Sequence, residues 1–252
     1  MQDILDQFRA DISKLDRKAV IALCYTALAS TCIYYLKNEL WVASFLSGTR
    51  FEDLTALIQT SSDNNLPTLS WWVLLVMIFY LVIPALIIKF GWHQDLSEYG
   101  LSLGTEPRPL QLLGACVAIM LPLVYLMSLT EGFAAKYPFL QIYNGEPYIG
   151  QTLLFWELIY FLQFFGIEFF FRGFLVHSLK PSLGLYSIFV MTVPYCMVHF
   201  GKPPAETISA IIAGIFLGWL SYRNGSIWLG LILHCTVAFS MDILALYNKG
   251  LL

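Results

Sequence analysis

Four ionisable side chains stand out because they lie within strongly apolar stretches of the sequence. Glu168 and Arg172 are four residues apart, so on a helix they share one face, with the acid on the N-terminal side as an ion pair prefers. His199 and His234 follow in two later apolar segments. Because an ionised group at membrane depth costs on the order of a few kcal/mol, such groups are usually paired, buried and functional.

A carboxylate and two imidazoles that meet in a water-poor cavity are suited to hydrolysis. The pattern predicts that Glu168 takes a proton from water, that His199 shares this proton, and that His234 donates to the developing oxyanion. Arg172 would hold the carboxylate in place. We expect no cofactor for this chemistry.

Each of these residues also has a purely structural interpretation. Glu168 and Arg172 alone could be an ion pair that holds the helices together. His199 precedes Gly201, Lys202 and Pro203, so it could cap a helix end or line an interface. The spacing of the four residues therefore favours a site only if the fold brings them together.

A zinc site is a further alternative, because Cys196 lies three residues before His199 and Cys235 follows His234 directly. Adjacent residues on a helix point about 100° apart and cannot easily bind the same ion. We therefore expect no metal.

Three other acids could support the site. Glu157 precedes Glu168 within the same apolar segment, and Asp242 lies two helical turns beyond His234, on nearly the same face. Glu206 opens a later helix, where the helix dipole also favours an acid. The sequence leaves open which acid acts as the base.

The composition indicates an integral membrane protein. Of 252 residues, 58% are hydrophobic and only 12% are charged, against roughly 25% in a soluble domain. The formal net charge of -3 and the lack of a Lys and Arg cluster argue against a nucleic acid partner. The lipid bilayer is the expected surrounding.

Six uncharged runs of suitable length, and a seventh apolar stretch at residues 148–175 that contains Glu157, Glu168 and Arg172, predict about seven membrane spans. The predicted spans are residues 19–36, 69–88, 109–130, 148–175, 182–198, 207–222 and 224–241. The fold class is therefore all-α, a polytopic transmembrane helical bundle that fills residues 1–252 as a single domain. Within residues 148–175, Phe169, Phe170 and Phe171 are expected to face lipid and neighbouring helices.

The first eighteen residues differ from the rest. Ile4, Phe8 and Ile12 recur at helical spacing with charged residues between them, which predicts an amphipathic helix on the membrane surface over residues 1–18. The longest predicted loop covers residues 37–67.

The distribution of Lys and Arg predicts the orientation. Seven spans place the two ends on opposite sides, with nine of these residues on the side of the N-terminus and five on the other. The N-terminus is therefore expected in the cytoplasm and the C-terminus outside.

The sequence resembles the CPBP family of membrane proteases, which includes CAAX-protein and bacteriocin-processing enzymes. That family carries Glu-Glu-x-x-x-Arg, Phe-x-x-x-His and His-x-x-x-Asn on three helices. Here the motifs read Ile167-Glu168-x-x-x-Arg172, Tyr195-x-x-x-His199 and His234-x-x-x-Ala238. The resemblance implies a protease-like core over residues 148–247 and a location in a bacterial inner membrane.

Two positions depart from the family pattern. The resemblance implies that the first Glu activates water and that the Asn helps the oxyanion, and here these are Ile167 and Ala238. Three outcomes remain open: Glu168 has become the base, another acid contributes, or the protein no longer cuts.

The leading hypothesis is a glutamate-type, metal-independent intramembrane endopeptidase that cleaves a membrane-anchored peptide or protein. The rival is a non-catalytic relative that binds a membrane peptide, as an immunity factor or a chaperone does. A small transporter would need a continuous polar path or repeated halves, and the sequence has neither.

Overall fold

A computed structural model describes residues 1–50, 52, 64–142 and 147–252. Its described part is helical and contains no strand, only an isolated bridge between Leu101 and Ser226. The helices are α1 (Gln2–Ser13), α2 (Arg17–Leu36), α3 (Glu39–Leu46), α4 (Leu66–Gly91), α5 (Pro109–Ser128), α6 (Glu131–Lys136), α7 (Gln151–Leu183), α8 (Tyr186–Met197), α9 (Pro204–Asn224) and α10 (Trp228–Asn248).

The all-α, polytopic fold class is confirmed. Within the described residues, six helices, α2, α4, α5, α7, α9 and α10, are long and apolar enough to cross a membrane. The predicted span 182–198 is shorter than expected, because α8 has only 12 residues. At about 1.5 Å per residue it rises about 18 Å, against the ~30 Å of a hydrocarbon core.

The amphipathic segment is also shorter than predicted. Helix α1 ends at Ser13, all of its residues are exposed, and Asp16 caps the start of α2 by accepting from the Lys18 amide. A hydrogen bond from the Ser182 hydroxyl holds the pKa of Asp16 below its usual value. The same contact fixes the start of α2 against the end of α7. The predicted loop 37–67 contains helix α3, and its residues 53–63 lie outside the described part.

The contacts at the helix ends define two opposite faces of the bundle. On the N-terminal face, Asp16 meets Ser182, and the Ile227 amide donates to the Gly100 carbonyl at 2.9 Å. On the C-terminal face, the Asn248 side chain at the end of α10 donates to the Ser128 carbonyl at 3.0 Å. The two chain ends therefore lie on opposite faces.

Helix α7 forms the centre of the bundle. It has 33 residues, so it is about 50 Å long, and it widens into a π-helical stretch at Phe169–Leu175. The prediction that residues 169–171 face lipid is wrong, because all three phenylalanines are completely buried. Tyr80 stacks on Phe170 with ring centroids 4.2 Å apart, which shows why: α4 covers this side of α7. The π-helical stretch is thereby enclosed by protein.

Candidate active site

Glu168 lies at the end of the regular part of α7 and is completely buried. Its Oε1 accepts a hydrogen bond from His234 Nδ1 at 2.9 Å, and an Arg172 guanidinium nitrogen lies 3.2 Å from the same oxygen. Its Oε2 faces Gly230 of α10, where an added Cβ would lie only 3.1 Å away. The glycine thus lets α10 come close enough for His234 to reach the carboxylate.

Arg172 completes this buried group from the π-helical stretch. Its guanidinium carbon lies 3.7 Å from the centre of the Tyr195 ring, and its backbone carbonyl accepts from the Ser221 hydroxyl at 3.0 Å. Stacking of a guanidinium on an aromatic face is favourable where water is excluded. Arg172 therefore connects α7 with both α8 and α9.

His199 follows the last turn of α8, one helical turn beyond Tyr195. Its Nδ1 donates to the Tyr195 carbonyl at 3.0 Å, and its own carbonyl accepts from the Thr207 hydroxyl at 2.9 Å. The Tyr195 ring packs edge-on against the imidazole. The structure thus brings Glu168 and His234 into direct contact, and connects His199 to them through Tyr195 and Arg172.

The hydrogen-bond partners determine the tautomer of each histidine. His234 Nδ1 faces a carboxylate and His199 Nδ1 faces a carbonyl, and both groups can only accept. Each neutral ring therefore carries its proton on Nδ1 and has an acceptor at Nε2. Neutral His234 has no proton on Nε2 to donate to an oxyanion.

Both histidines line a cavity of about 470 Å³. This volume falls within the range of small-molecule sites. Glu168 and Arg172 do not line the cavity, because they lie behind His234 and Tyr195. Its wall comes from α5, α7, α9, α10 and the chain around α6 and α8, and includes Met120, Met127, Tyr160, Phe164, Phe216, Leu233, Val237, Ala238 and Met241.

Among the predicted supporting acids, Glu206 reaches the cavity. The Lys202 ammonium lies 2.7 Å from its Oε1, and the Tyr137 hydroxyl lies 2.9 Å from both carboxylate oxygens. Burial raises the pKa of Tyr137, so its hydroxyl stays neutral and donates to Glu206. Glu206 is therefore held by two partners at the cavity wall.

Glu157 and Asp242 lie away from the histidines and do not line the cavity. Asp242 accepts from Trp156 Nε1 at 3.2 Å and from the Phe139 amide at 3.4 Å, so it fastens the chain after α6 to α7 and α10. Glu157 is buried, and its carboxyl group lies close to that of Asp242. Their positions assign both acids to packing near the C-terminal face.

The cysteines do not complete a cluster with the two histidines. All five are free thiols. Within the described residues, no group of three or more His, Cys, Asp or Glu side chains could hold a metal ion.

Residues 149–240 match the family model described as "Type II CAAX prenyl endopeptidase Rce1-like". The resemblance to the CPBP family is confirmed. The matched stretch begins near the start of α7 and ends within α10, so it includes Glu168, Arg172, His199 and His234. No curated protein and no solved structure matches the chain. The protein is thus a multi-pass membrane protein whose residues 149–240 are similar to an intramembrane protease family.

The two departures from the CPBP motifs differ in position. Ala238 lines the cavity one helical turn beyond His234. Ile167 is half-buried, packs against two hydrophobic clusters and does not line the cavity. Only the Ala238 position therefore exposes its side chain to a molecule in the cavity.

Three residues of the site were not predicted from the sequence. Gly230 leaves room for the Glu168 carboxylate, and Tyr137 and Lys202 donate hydrogen bonds to the Glu206 carboxylate. Lys202 and Glu206 have the i,i+4 spacing of an ion pair, which is a signal that sequence analysis could have used. Tyr137 is 69 residues away from Glu206, and no local pattern connects them.

Proposed function

We propose that the protein is an intramembrane endopeptidase in which His234, supported by Glu168, is the general base. The observation that carries the proposal is the hydrogen bond of 2.9 Å between His234 Nδ1 and Glu168 Oε1 at the wall of a cavity. A buried carboxylate that holds an imidazole in one tautomer, with Nε2 left as acceptor, is an arrangement that favours proton abstraction.

In this mechanism a water molecule in the cavity gives a proton to His234 Nε2 and attacks the scissile carbonyl. Glu168 stays ionised and stabilises the imidazolium that forms. The imidazolium then returns the proton to the leaving amine, so the peptide bond breaks and no net proton is consumed. His199 Nε2 is a second acceptor that can orient the attacking water.

These roles differ from those assigned from the sequence, which made Glu168 the base and His234 the oxyanion donor. Glu168 is completely buried and does not line the cavity, so water in the cavity meets His234 first. Arg172 also stabilises the ionised carboxylate, which makes Glu168 a weaker proton acceptor. Both observations favour an orienting role for Glu168.

We propose a membrane-anchored peptide or protein as the substrate. The cavity opens sideways between α5 and α9, where Ile119 and Ile212 line it and remain 65% and 70% exposed. In a membrane these exposed side chains would face lipid, so an apolar anchor could reach the site without leaving the bilayer.

The proposal is tested by comparing the membrane proteomes of cells with the wild-type protein and with His234→Gln. An uncut precursor should accumulate in the variant and identify the substrate. Glu131→Gln, an exposed substitution of similar size at the start of α6, is the control for expression. If no precursor accumulates in His234→Gln while the protein is present at the wild-type level, the protease proposal fails.

The second candidate function is non-catalytic binding of a membrane peptide. It is favoured by Ala238, which faces the cavity without a hydrogen-bond donor. A photo-crosslinking residue at Met241, also on the cavity wall, should then capture the same intact peptide in wild type and in His234→Gln. A peptide captured intact only in His234→Gln supports the protease instead.

A further inference from the structure

The N-terminal face of the bundle is closed above the candidate site. Gly173 packs so tightly against the turn at Tyr99 that an added Cβ would lie 2.5 Å from the Tyr99 carbonyl oxygen. Phe170 and Phe174, one turn apart, are completely buried and pack against Tyr25 of α2. The chain between α4 and α5 and the turn before α10 are joined at Gly100 and Ile227. The described residues therefore leave a polypeptide no route to His234 from this side.

The cavity wall is polar where it reaches the C-terminal face. Helix α8 rises only about 18 Å from the N-terminal face, while α7 continues for about 50 Å. The turn that follows α8 contains His199 and Lys202 and leads to Pro204, where α9 begins about 31 Å from its other end on the N-terminal face. The Lys202 and Glu206 side chains line the cavity and remain 20% and 18% exposed. This charged pair at the start of α9 therefore connects the cavity wall with water at the C-terminal face.

A short segment, residues 137–142, lies over this end of the cavity. Its Tyr137 hydroxyl donates to Glu206, and its Phe139 amide donates to Asp242 at 3.4 Å. Its Gln141 amide donates to the Asn64 carbonyl at 2.8 Å. Of these contacts, the one from Tyr137 joins the segment to the cavity wall, because Asp242 does not line the cavity.

We propose that the polypeptide segment to be cleaved enters from the membrane face that carries the C-terminus, and that Tyr137 closes this entrance through Glu206. The nature of the molecule that enters rests on the proposed protease function, whereas the direction of access does not. The entering segment must be extended, and the peptide bond that is cut must be accessible from the membrane face that carries the C-terminus of this protein. A protein whose cleavable segment is exposed only on the N-terminal face is not a substrate.

The direction of access is tested by thiol labelling, which requires no cleavage. The five native cysteines are replaced by alanine, and single cysteines are introduced as Lys202→Cys and, deeper on the cavity wall, as Ser209→Cys. Lys14→Cys and Lys249→Cys mark the two faces, since both residues are exposed. A membrane-impermeant maleimide is then added to sealed vesicles of each orientation.

Lys202→Cys and Ser209→Cys should be labelled in the vesicles that label Lys249→Cys. Labelling in the vesicles that label Lys14→Cys, or no labelling of either residue in either orientation, overturns the proposal. If Lys202→Cys does not fold, Ser209→Cys alone decides. Labelling as expected without any precursor in the proteome experiment would leave the access route intact and reject only the protease function.

The role of Tyr137 is tested in the Ser209→Cys protein. Tyr137→Phe removes the hydrogen bond to Glu206 and should raise the labelling rate roughly tenfold, as expected for one lost hydrogen bond to a charged group. Tyr125→Phe, an exposed tyrosine of α5, is the matched control and should leave the rate unchanged. An equal rate in Tyr137→Phe and Tyr125→Phe would refute the closing role.

Discussion

Glu168 and His234 should behave as one functional unit, because the carboxylate acts only through the imidazole that it orients. Glu168→Gln and His234→Gln should each lower the cleavage rate by about 100-fold or more, as is typical for loss of a general base or its partner. The double variant should be no slower than the slower single variant. The measurement is the rate of precursor processing in membranes.

Multiplicative losses in the double variant would instead mean that the two residues act independently. The control for stability is the amount of folded protein, because Arg172 remains buried when Glu168 loses its charge and this can cost a few kcal/mol. Gln at position 168 keeps an acceptor for both neighbours, which limits this cost.

Restoring a donor at Ala238 should speed the reaction. Ala238→Asn places an amide on the cavity wall one turn beyond His234, where it can donate to the oxyanion. Loss of one such donor costs about 100-fold to 1,000-fold in other hydrolases, so the gain should approach this range. Processing measured at equal protein levels tests it. A variant that folds but cuts no faster would show that the oxyanion forms elsewhere.

At the residue level, the sequence predicted which side chains are in contact better than it predicted the catalytic role of each side chain. The i,i+4 spacing predicted the contact of Glu168 with Arg172, and the polar character of His234 in an apolar helix indicated a buried partner. The roles depend on which nitrogen faces which neighbour, and that follows from the approach of α10 at Gly230. Helix approach distances are set by tertiary packing, which a single sequence does not record.

The π-helical stretch is fixed by contact between elements. Gly173→Ala would bring a Cβ to 2.5 Å from the Tyr99 carbonyl, and a backbone atom cannot move away as a flexible side chain can. The variant should unfold at lower temperature by several degrees, since overpacking typically costs about 1–3 kcal/mol. Thermal unfolding in detergent measures this.

Gly114→Ala is the matched control within the transmembrane helices. In the part of the chain that the structure describes, nothing lies within 4 Å of a Cβ added at Gly114, so the gain in helix propensity should leave the protein as stable as wild type or slightly more so. If Gly173→Ala is equally well tolerated, the turn at Tyr99 is not held against α7.

The short α8 could not be predicted from hydropathy. Residues 182–198 are apolar throughout, and apolar character does not distinguish contact with lipid from contact with protein. The helix ends early because the chain turns at His199 and Lys202 to meet α9, and Thr207 fixes that turn. The sequence did contain a local signal, Gly201 followed by Lys202 and Pro203, which is typical of a turn.

At the scale of the whole molecule, the contacts fix which segments share a face but not which face is cytoplasmic. Asp16 and Ser182 meet on one face, and Asn248 and Ser128 on the other, so the chain ends are on opposite sides whether or not α8 crosses the membrane. The absolute orientation must come from charge.

Arg172 is buried and does not lie at a membrane surface, so it is removed from the count of nine Lys and Arg residues on the N-terminal face. The remaining eight are still more than the five on the other face. Positive residues are retained in the cytoplasm, so the N-terminus should be inside.

Reporter fusions after Leu36, Ile88, Thr130 and Lys180 should then read outside, inside, outside and inside. A fusion after Lys180 that reads outside would reverse this map. It would also move the proposed entrance from the outer to the cytoplasmic side, because the labelling experiment fixes the entrance only relative to the C-terminus.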